Sequence, residues 1–165
     1  MANKATIYLD MSVINFLFAE DAPQFQSITK EFFKDFIQKE IYDSKISEIV
    51  IREIRETRNE KKRNQLLSVV EEYSLKFADL SKFSEIQNLA QLYVDSRIIP
   101  AKKYADALHI AITVVNKLDF LVSWNFQHLA NENRERRILA LNAQHNYTHP
   151  LRIITPLTLM DKGNK

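Results

Sequence analysis

Apolar residues in this chain fall into short unbroken runs and longer runs at helical spacing, and their alternation predicts strands followed by one or two helices each. Thr6 to Leu9 reads as a short strand closed by Asp10, and Ser12 opens a helix through about Ala19. Asp21 with Pro23 two residues on marks the next helix start, because a proline in the first turn gives up an N–H that has no partner there. Phe25, Ile28, Phe32, Phe33, Phe36 and Ile37 recur at helical spacing and carry that helix to about Ile41. Tyr42 to Ile46 predicts a second strand, and Ser47 caps a helix from Glu48 to about Arg58 whose buried stripe is Ile46, Ile49, Val50 and Ile54. Helices over Asn59–Tyr73 and Ser84–Arg97 follow, with a brief strand at Leu75–Phe77 between them.

The central pattern comes next. Lys102 to Asn116 reads as a helix that is apolar nearly all the way round from Ala105 to Val115, so protein should cover every side of it. Phe120 to Trp124 is an apolar and aromatic strand without alternation, as expected of a central parallel strand. A charged helix from Glu132 to about Gln144, a last strand at Arg152–Thr155 and a terminal turn at Pro156 complete the chain, with a frayed tail expected over residues 161–165. The alternation argues for an open parallel sheet with helices on both faces, in one domain over residues 1–160.

Several polar residues break this pattern. Asp10 ends the first strand, Asn125 ends the fourth, and Asp106 lies inside the apolar helix. Glu53 falls four residues after Ile49 and three after Val50, along the buried stripe rather than away from it. In a parallel sheet of this kind, strands end and the following helices begin along one edge, where ligands bind. The four residues are therefore expected to converge. Three carboxylates close together cannot all stay ionised unaided. A hard divalent cation such as Mg²⁺ or Mn²⁺ resolves the conflict, because it takes oxygen ligands and keeps waters for hydrolytic chemistry.

Composition narrows the alternatives. The single glycine, Gly163, excludes phosphate loops of the P-loop and G-x-G-x-x-G types, and the absence of cysteine excludes thiolate metal sites and cysteine nucleophiles. No apolar run reaches the roughly 18 residues of a membrane helix, and the N-terminus lacks a signal-peptide pattern, so a cytoplasmic location is expected. A net charge of +2 is too small to announce a nucleic-acid binder, and any basic surface must come from clustering. Arg52, Arg55 and Arg58, with Lys61, Lys62 and Arg63 just beyond, form one such cluster, and Arg134 with Arg136 and Arg137 another. Both could contact phosphates, and both read equally well as solvated helix faces.

The strings IYLDMSVI, ISEIVIREI, DALHIAI, LDFLVSWNFQHLAN and RIITPLTLM, in that order and spacing, resemble PIN-domain proteins of the VapC-type toxin group. The resemblance spans almost the whole chain. It implies a PIN-like three-layer α/β/α fold with a central parallel sheet of about five strands, and a Mg²⁺- or Mn²⁺-dependent endoribonuclease acting as the toxin of a type II toxin–antitoxin pair. It implies RNA as substrate, cleaved to leave a 5′-phosphate and a 3′-hydroxyl, with a small antitoxin protein and frequently a second copy of the chain as partners. On that resemblance Asp10, Glu53 and Asp106 form the metal site, Glu53 either ligating the ion or orienting the attacking water, and Ser12 and Ser123 support it.

Two residues depart from the family pattern. Met11 stands where a threonine is common, at a position whose side chain need not face the metal. Asn125 stands where many members carry a fourth acid, so it can lend an oxygen but no charge, and a second metal should bind weakly or only together with substrate phosphate. A binding module that has lost efficient cleavage is the rival reading. His109 is expected to be a hydrogen-bonded core residue, Trp124 a packed one, Asp119 too distant to replace Asn125, and His128 a turn residue at the edge of the site.

Overall fold

The computed structural model describes residues 4–126 and 129–163. Five strands form one parallel sheet: β1 (Thr6–Leu9), β2 (Asp43–Ile46), β3 (Lys76–Phe77), β4 (Phe120–Val122) and β5 (Arg152–Ile154), in the spatial order β3-β2-β1-β4-β5. The helices among the described residues are α1 (Met11–Asn15), α2 (Pro23–Phe32), α3 (Glu48–Arg55), α4 (Glu60–Glu72), α5 (Phe83–Asp95), α6 (Tyr104–Val115), α7 (Glu132–Gln144) and α8 (Pro156–Gly163). They flank the sheet in the three-layer α/β/α arrangement that the alternating pattern predicts. No helix among the described residues is long and apolar enough to cross a membrane.

Strand β1 lies in the middle, with Tyr8 paired to Lys45 of β2 on one side and to Leu121 of β4 on the other. Ile7, Tyr8 and Leu9 are all buried, which is why the strand shows no alternation. In α6, Ala107 through Val115 are buried without a break, as the all-round apolar pattern requires. The chain builds one half of the sheet outward from β1 to β3, then crosses back to build β4 and β5 on the other side. Winding thus reverses between β1 and β4, and at such a point the loops leaving the two strands diverge and open a crevice. Asp10 follows β1 and Asn125 follows β4, so strand order alone brings them to it.

Helix ends are where the structure departs most from the sequence pattern. Helix α1 is only five residues long and passes into a 3₁₀ turn at Phe16–Phe18. Helix α2 begins at Pro23 as expected, but Ala22 rather than Asp21 holds the cap position, and the helix continues as a π-helical stretch over Phe33–Ile37 that stops short of Ile41. Helix α3 stops at Arg55, because Asn59 in extended conformation already caps α4. The C-terminal turn and the first part of the expected frayed tail, residues 161–163, form α8, with Thr155 Oγ1 accepting from the Thr158 N–H at 3.1 Å; the rest of that tail lies outside the described residues.

Among the described residues, five helical segments end on a non-glycine residue at positive φ: Glu40 (54°), Ser74 (50°), Arg97 (60°), Lys117 (54°) and Asn146 (68°). Each is followed by an apolar residue whose N–H reaches back to close the last turn, as Leu118 does to Thr113 O at 2.9 Å and Ile98 to Tyr93 O at 3.0 Å. This is the Schellman closure, built here without the glycine that usually serves it. Leu75, Ile98 and Leu118 are buried, so side-chain packing anchors these three turns and holds the preceding residue in a left-handed conformation.

Candidate active site

Asp10 is both the residue after β1 and the N-cap of α1, and its Oδ1 accepts from the Val13 N–H at 3.4 Å. The Ser12 hydroxyl donates to Oδ1 at 2.5 Å and the Ser123 hydroxyl to Oδ2 at 2.5 Å. Those hydroxyls are fixed in turn, Ser12 Oγ by the Trp124 N–H and Ser123 Oγ by the Asn125 N–H, each at 2.9 Å. The loops after β1 and β4 are thereby laced together around one carboxylate. Asp10 is only 4% exposed, and that burial raises its carboxyl above the ordinary value. The nearby His109 and the two serine hydroxyls pull it back, while Asp106 pushes it up again.

Asp106 lies in the first turn of α6, half-buried, and Asn125 Nδ2 stands 3.4 Å from its Oδ2. Arg134, near the start of α7, has its pKa lowered by burial and by Arg137, with the charge of Asp106 working the other way. Glu53 sits in the second turn of α3 rather than at its start and reaches inward by the length of its side chain. Its Oε1 lies 2.6 Å from Nε2 of His109, a ring that is 1% exposed. On the other side of that ring, Nδ1 lies 2.7 Å from the Tyr8 hydroxyl, which lies 2.6 Å from Ser47 Oγ. Burial alone lowers the His109 pKa, but the hydrogen bond and charge of Glu53, with Asp10 and Asp106 behind it, raise it above the ordinary value.

Asp10, Glu53, Asp106 and Asn125 line one cleft of about 330 Å³, together with Ser12, Met11, Asn15, Lys62 and His109. Met11, the first residue of α1, borders the cleft beside Asp10. Arg52, Arg55 and Arg58 are exposed and outside the cleft wall, where Lys62 is the basic residue that borders it. Ser123 holds Asp10 from behind. Asp119 lies at the opposite edge, its Oδ2 accepting from the Thr6 N–H at 2.8 Å. Trp124 is packed, with Nε1 donating to Thr29 Oγ1 at 2.9 Å. His128 lies outside the described residues.

A larger cleft of about 620 Å³ opens at the far end of the sheet, lined by Lys4, Asp43, Lys76, Lys117 and Asp119 among others. Of its three acids, Asp119 is bound by Thr6, Asp43 is paired with Lys76 at 3.8 Å, and Glu40 is exposed. The smaller cleft is the candidate site, because it lies at the winding reversal and contains a desolvated carboxylate.

The donor set of the smaller cleft is all oxygen apart from His109, which suits a hard cation. Asn15 adds an acceptor, since its Oδ1 is buried with no hydrogen-bond partner. Among the described residues, however, no three acidic or imidazole groups stand close enough to grip a single ion. Glu53, for its part, has Oε1 engaged by His109. Two carboxylates with waters and a substrate phosphate are an ordinary Mg²⁺ environment, so the chemistry of Asp10 and Asp106, which line one cleft, is compatible with the ion.

Sequence reasoning found Asp10, Glu53, Asp106, Asn125 and both serines, but missed Tyr8, Ser47, Asn15 and Lys62 as parts of the same assembly. Tyr8 carried the one available signal, since a hydroxyl on a strand covered on both faces must find a partner. No protein-family model matches the chain, and no curated protein matches it.

Proposed function

We propose that the protein is a Mg²⁺- or Mn²⁺-dependent endoribonuclease that hydrolyses RNA phosphodiester bonds. The observation that supports this reading is the buried Asp10 carboxylate, fixed by Ser12 and Ser123 and lining one cleft with Asp106 and Glu53. Asp10 and Asp106 would hold the ion, with the Asn125 side chain as a neutral oxygen donor beside them. The ion supplies neutralisation of phosphate charge and a more acidic water. Lys62, at the cleft wall, pairs with a phosphate oxygen of the incoming strand. Glu53 accepts the proton of the attacking water as its oxygen bonds to phosphorus and the bond to the 3′-oxygen breaks, the departing oxygen taking a proton from solvent. The products are a 5′-phosphate and a 3′-hydroxyl.

The resemblance of the five strings to the VapC-type toxin group extends the proposal to the toxin of a type II pair in the cytoplasm, with a small antitoxin and a second copy of the chain as partners. A second reading, a nucleic-acid-binding module with little or no cleavage, is favoured by the neutral Asn125 and by the lack of a closed three-acid cluster among the described residues.

One assay separates the two. Single-stranded and structured RNA are incubated with wild type and Asp10→Asn in Mn²⁺, in Mg²⁺ and in chelator. Cleavage by wild type that disappears both with chelator and in the variant supports the nuclease; RNA binding without cutting in every condition supports the module.

A further inference from the structure

We infer that His109 is the positioning residue for Glu53, holding that carboxylate by one oxygen so that Glu53 serves the attacking water and not the ion. The inference rests on the nuclease reading and names how the site divides its labour.

The geometry is that of a braced arm. Glu53 comes from α3, His109 from α6, Tyr8 from β1, and Ser47 from the junction of β2 and α3, so the chain of contacts ties four parts of the fold. It is anchored where Ser47 Oγ accepts the Ile49 N–H at 3.1 Å as the N-cap of α3. An ionised carboxylate can only accept, so Nε2 carries a hydrogen towards Glu53 whichever way the Tyr8 hydroxyl turns on the other side of the ring. Swinging Oε1 to an ion would break this contact and leave a buried donor without a partner, which folded proteins avoid. Glu53 keeps 27% of its side chain exposed at the cleft, enough to present its second oxygen to a water. Asp10 and Asp106 stand at a strand end and in the first turn of a helix, positions that suit direct ligation.

The test uses the full chain, stripped of metal, and begins with Mn²⁺ titration by calorimetry. Asp10→Asn and Asp106→Asn are expected to weaken Mn²⁺ binding about tenfold or more, and Glu53→Gln, His109→Gln and Tyr8→Phe to change it by less than about threefold. In RNA cleavage, Glu53→Gln and His109→Leu are expected to lower kcat by about 10- to 100-fold with little change in KM. His109→Gln, whose amide can still donate to Glu53, should recover most of that loss. His109→Leu added to Glu53→Gln should cost little more, since the two act as one unit.

A Glu53→Gln variant that loses Mn²⁺ affinity as severely as Asp106→Asn overturns the inference while leaving the nuclease intact. So do losses that multiply in the double variant. If His109→Leu does not fold, Tyr8→Phe carries the kinetic arm: it removes one hydroxyl from the brace, and an unchanged kcat counts against the inference. Wild type that binds Mn²⁺ without cutting RNA defeats the nuclease reading, and the inference with it. Wild type that binds no Mn²⁺ defeats both as well.

Discussion

Ser123 and Asp10, 113 positions apart in the chain, meet at 2.5 Å across the boundary between β1 and β4. That contact joins the two halves of the sheet at the place where winding reverses, and it supplies a donor to a carboxylate that water hardly reaches. Ser123→Ala removes the donor while keeping the small volume. A hydrogen bond to a buried charged group contributes about 1.5–3 kcal/mol, so unfolding in urea should show a loss of that order at neutral pH. The loss should shrink in acid as Asp10 takes up a proton, since burial has already raised its pKa. A variant as stable as wild type at pH 7 would mean that the hydroxyl does not hold the carboxylate.

Lys62 separates the cleft from the rest of the basic surface. It lines the wall that includes Asp10 and Asp106, whereas Arg52, Arg55 and Arg58 lie exposed outside it. Lys62→Ala is expected to weaken RNA binding and to reduce the slope of log affinity against log salt by about one phosphate contact. Arg55→Ala should leave both nearly unchanged. Filter binding across a salt series distinguishes them, and equal effects of the two substitutions would remove Lys62 from the substrate path.

The contrast between these residues shows what a chain can reveal of its own structure. Asp10 and Asp106 were legible because each is a charge beside or within an apolar run, and although a helix cap or first-turn acid accounts for either one alone, the order of the parallel sheet brings both to the same edge. Glu53 was legible because it falls on the buried stripe of α3. Lys62 was not, since six basic residues in one run look alike until the crossing of α4 decides which faces the cleft. His109 was legible as a core residue, but its partner was not, because nothing in DALHIAI states which acid from another helix lies beside it. The ends of α4, α5 and α6 were legible to within a residue or two, but the left-handed turns at Ser74, Arg97 and Lys117 that close them were not: the usual marker, glycine, is absent, and the turns are held by the buried residue that follows.

That last feature can be measured. A non-glycine residue in the left-handed region carries a cost of roughly 1–2 kcal/mol, partly offset by the greater freedom glycine regains on unfolding. Arg97→Gly and Lys117→Gly are therefore expected to stabilise by about 0.5–1 kcal/mol each, raising Tm by about 1–4 °C per substitution. Their effects should add, since each acts on its own turn. Arg97→Ala, with the same steric conflict and no new freedom, should give no gain. Lower Tm for both glycine variants would show that the left-handed conformation is not strained here.

Two tyrosines set a limit at high pH. Tyr93 donates to Asn142 Oδ1 at 2.6 Å and Tyr147 to Glu85 Oε1 at 2.7 Å, and together they pin α5 to α7 and the segment after it. Burial raises both phenol pKa values, that of Tyr147 to about 12 and that of Tyr93 further. The folded form thus keeps protons that the unfolded chain loses from about pH 10. Stability is fully present below pH 10 and falls as pH rises through the folded values. Thermal melts should show Tm declining between pH 10 and 12, and less steeply in Tyr147→Phe. Tyr93→Phe should cost about 1–3 kcal/mol at neutral pH by leaving the buried amide of Asn142 without its donor. A flat profile to pH 12 would contradict the assignment.

Asn125 is the residue at which the charge of the site is set. Its amide stands 3.4 Å from Asp106 Oδ2, so Asn125→Asp places a second carboxylate against the first, close to the buried Asp10. Without metal the repulsion has no relief, and Tm in chelator should fall below that of wild type. With Mn²⁺ the added charge becomes a ligand, and the rise in Tm on adding metal should exceed that of wild type, since stabilisation grows as RT ln(1 + [L]/Kd). The two shifts have opposite signs and one cause, which is what makes the pair diagnostic. A variant that loses stability in chelator and gains nothing from Mn²⁺ would place the side chain at Asp106 but away from any ion. One that changes neither would place it outside the site.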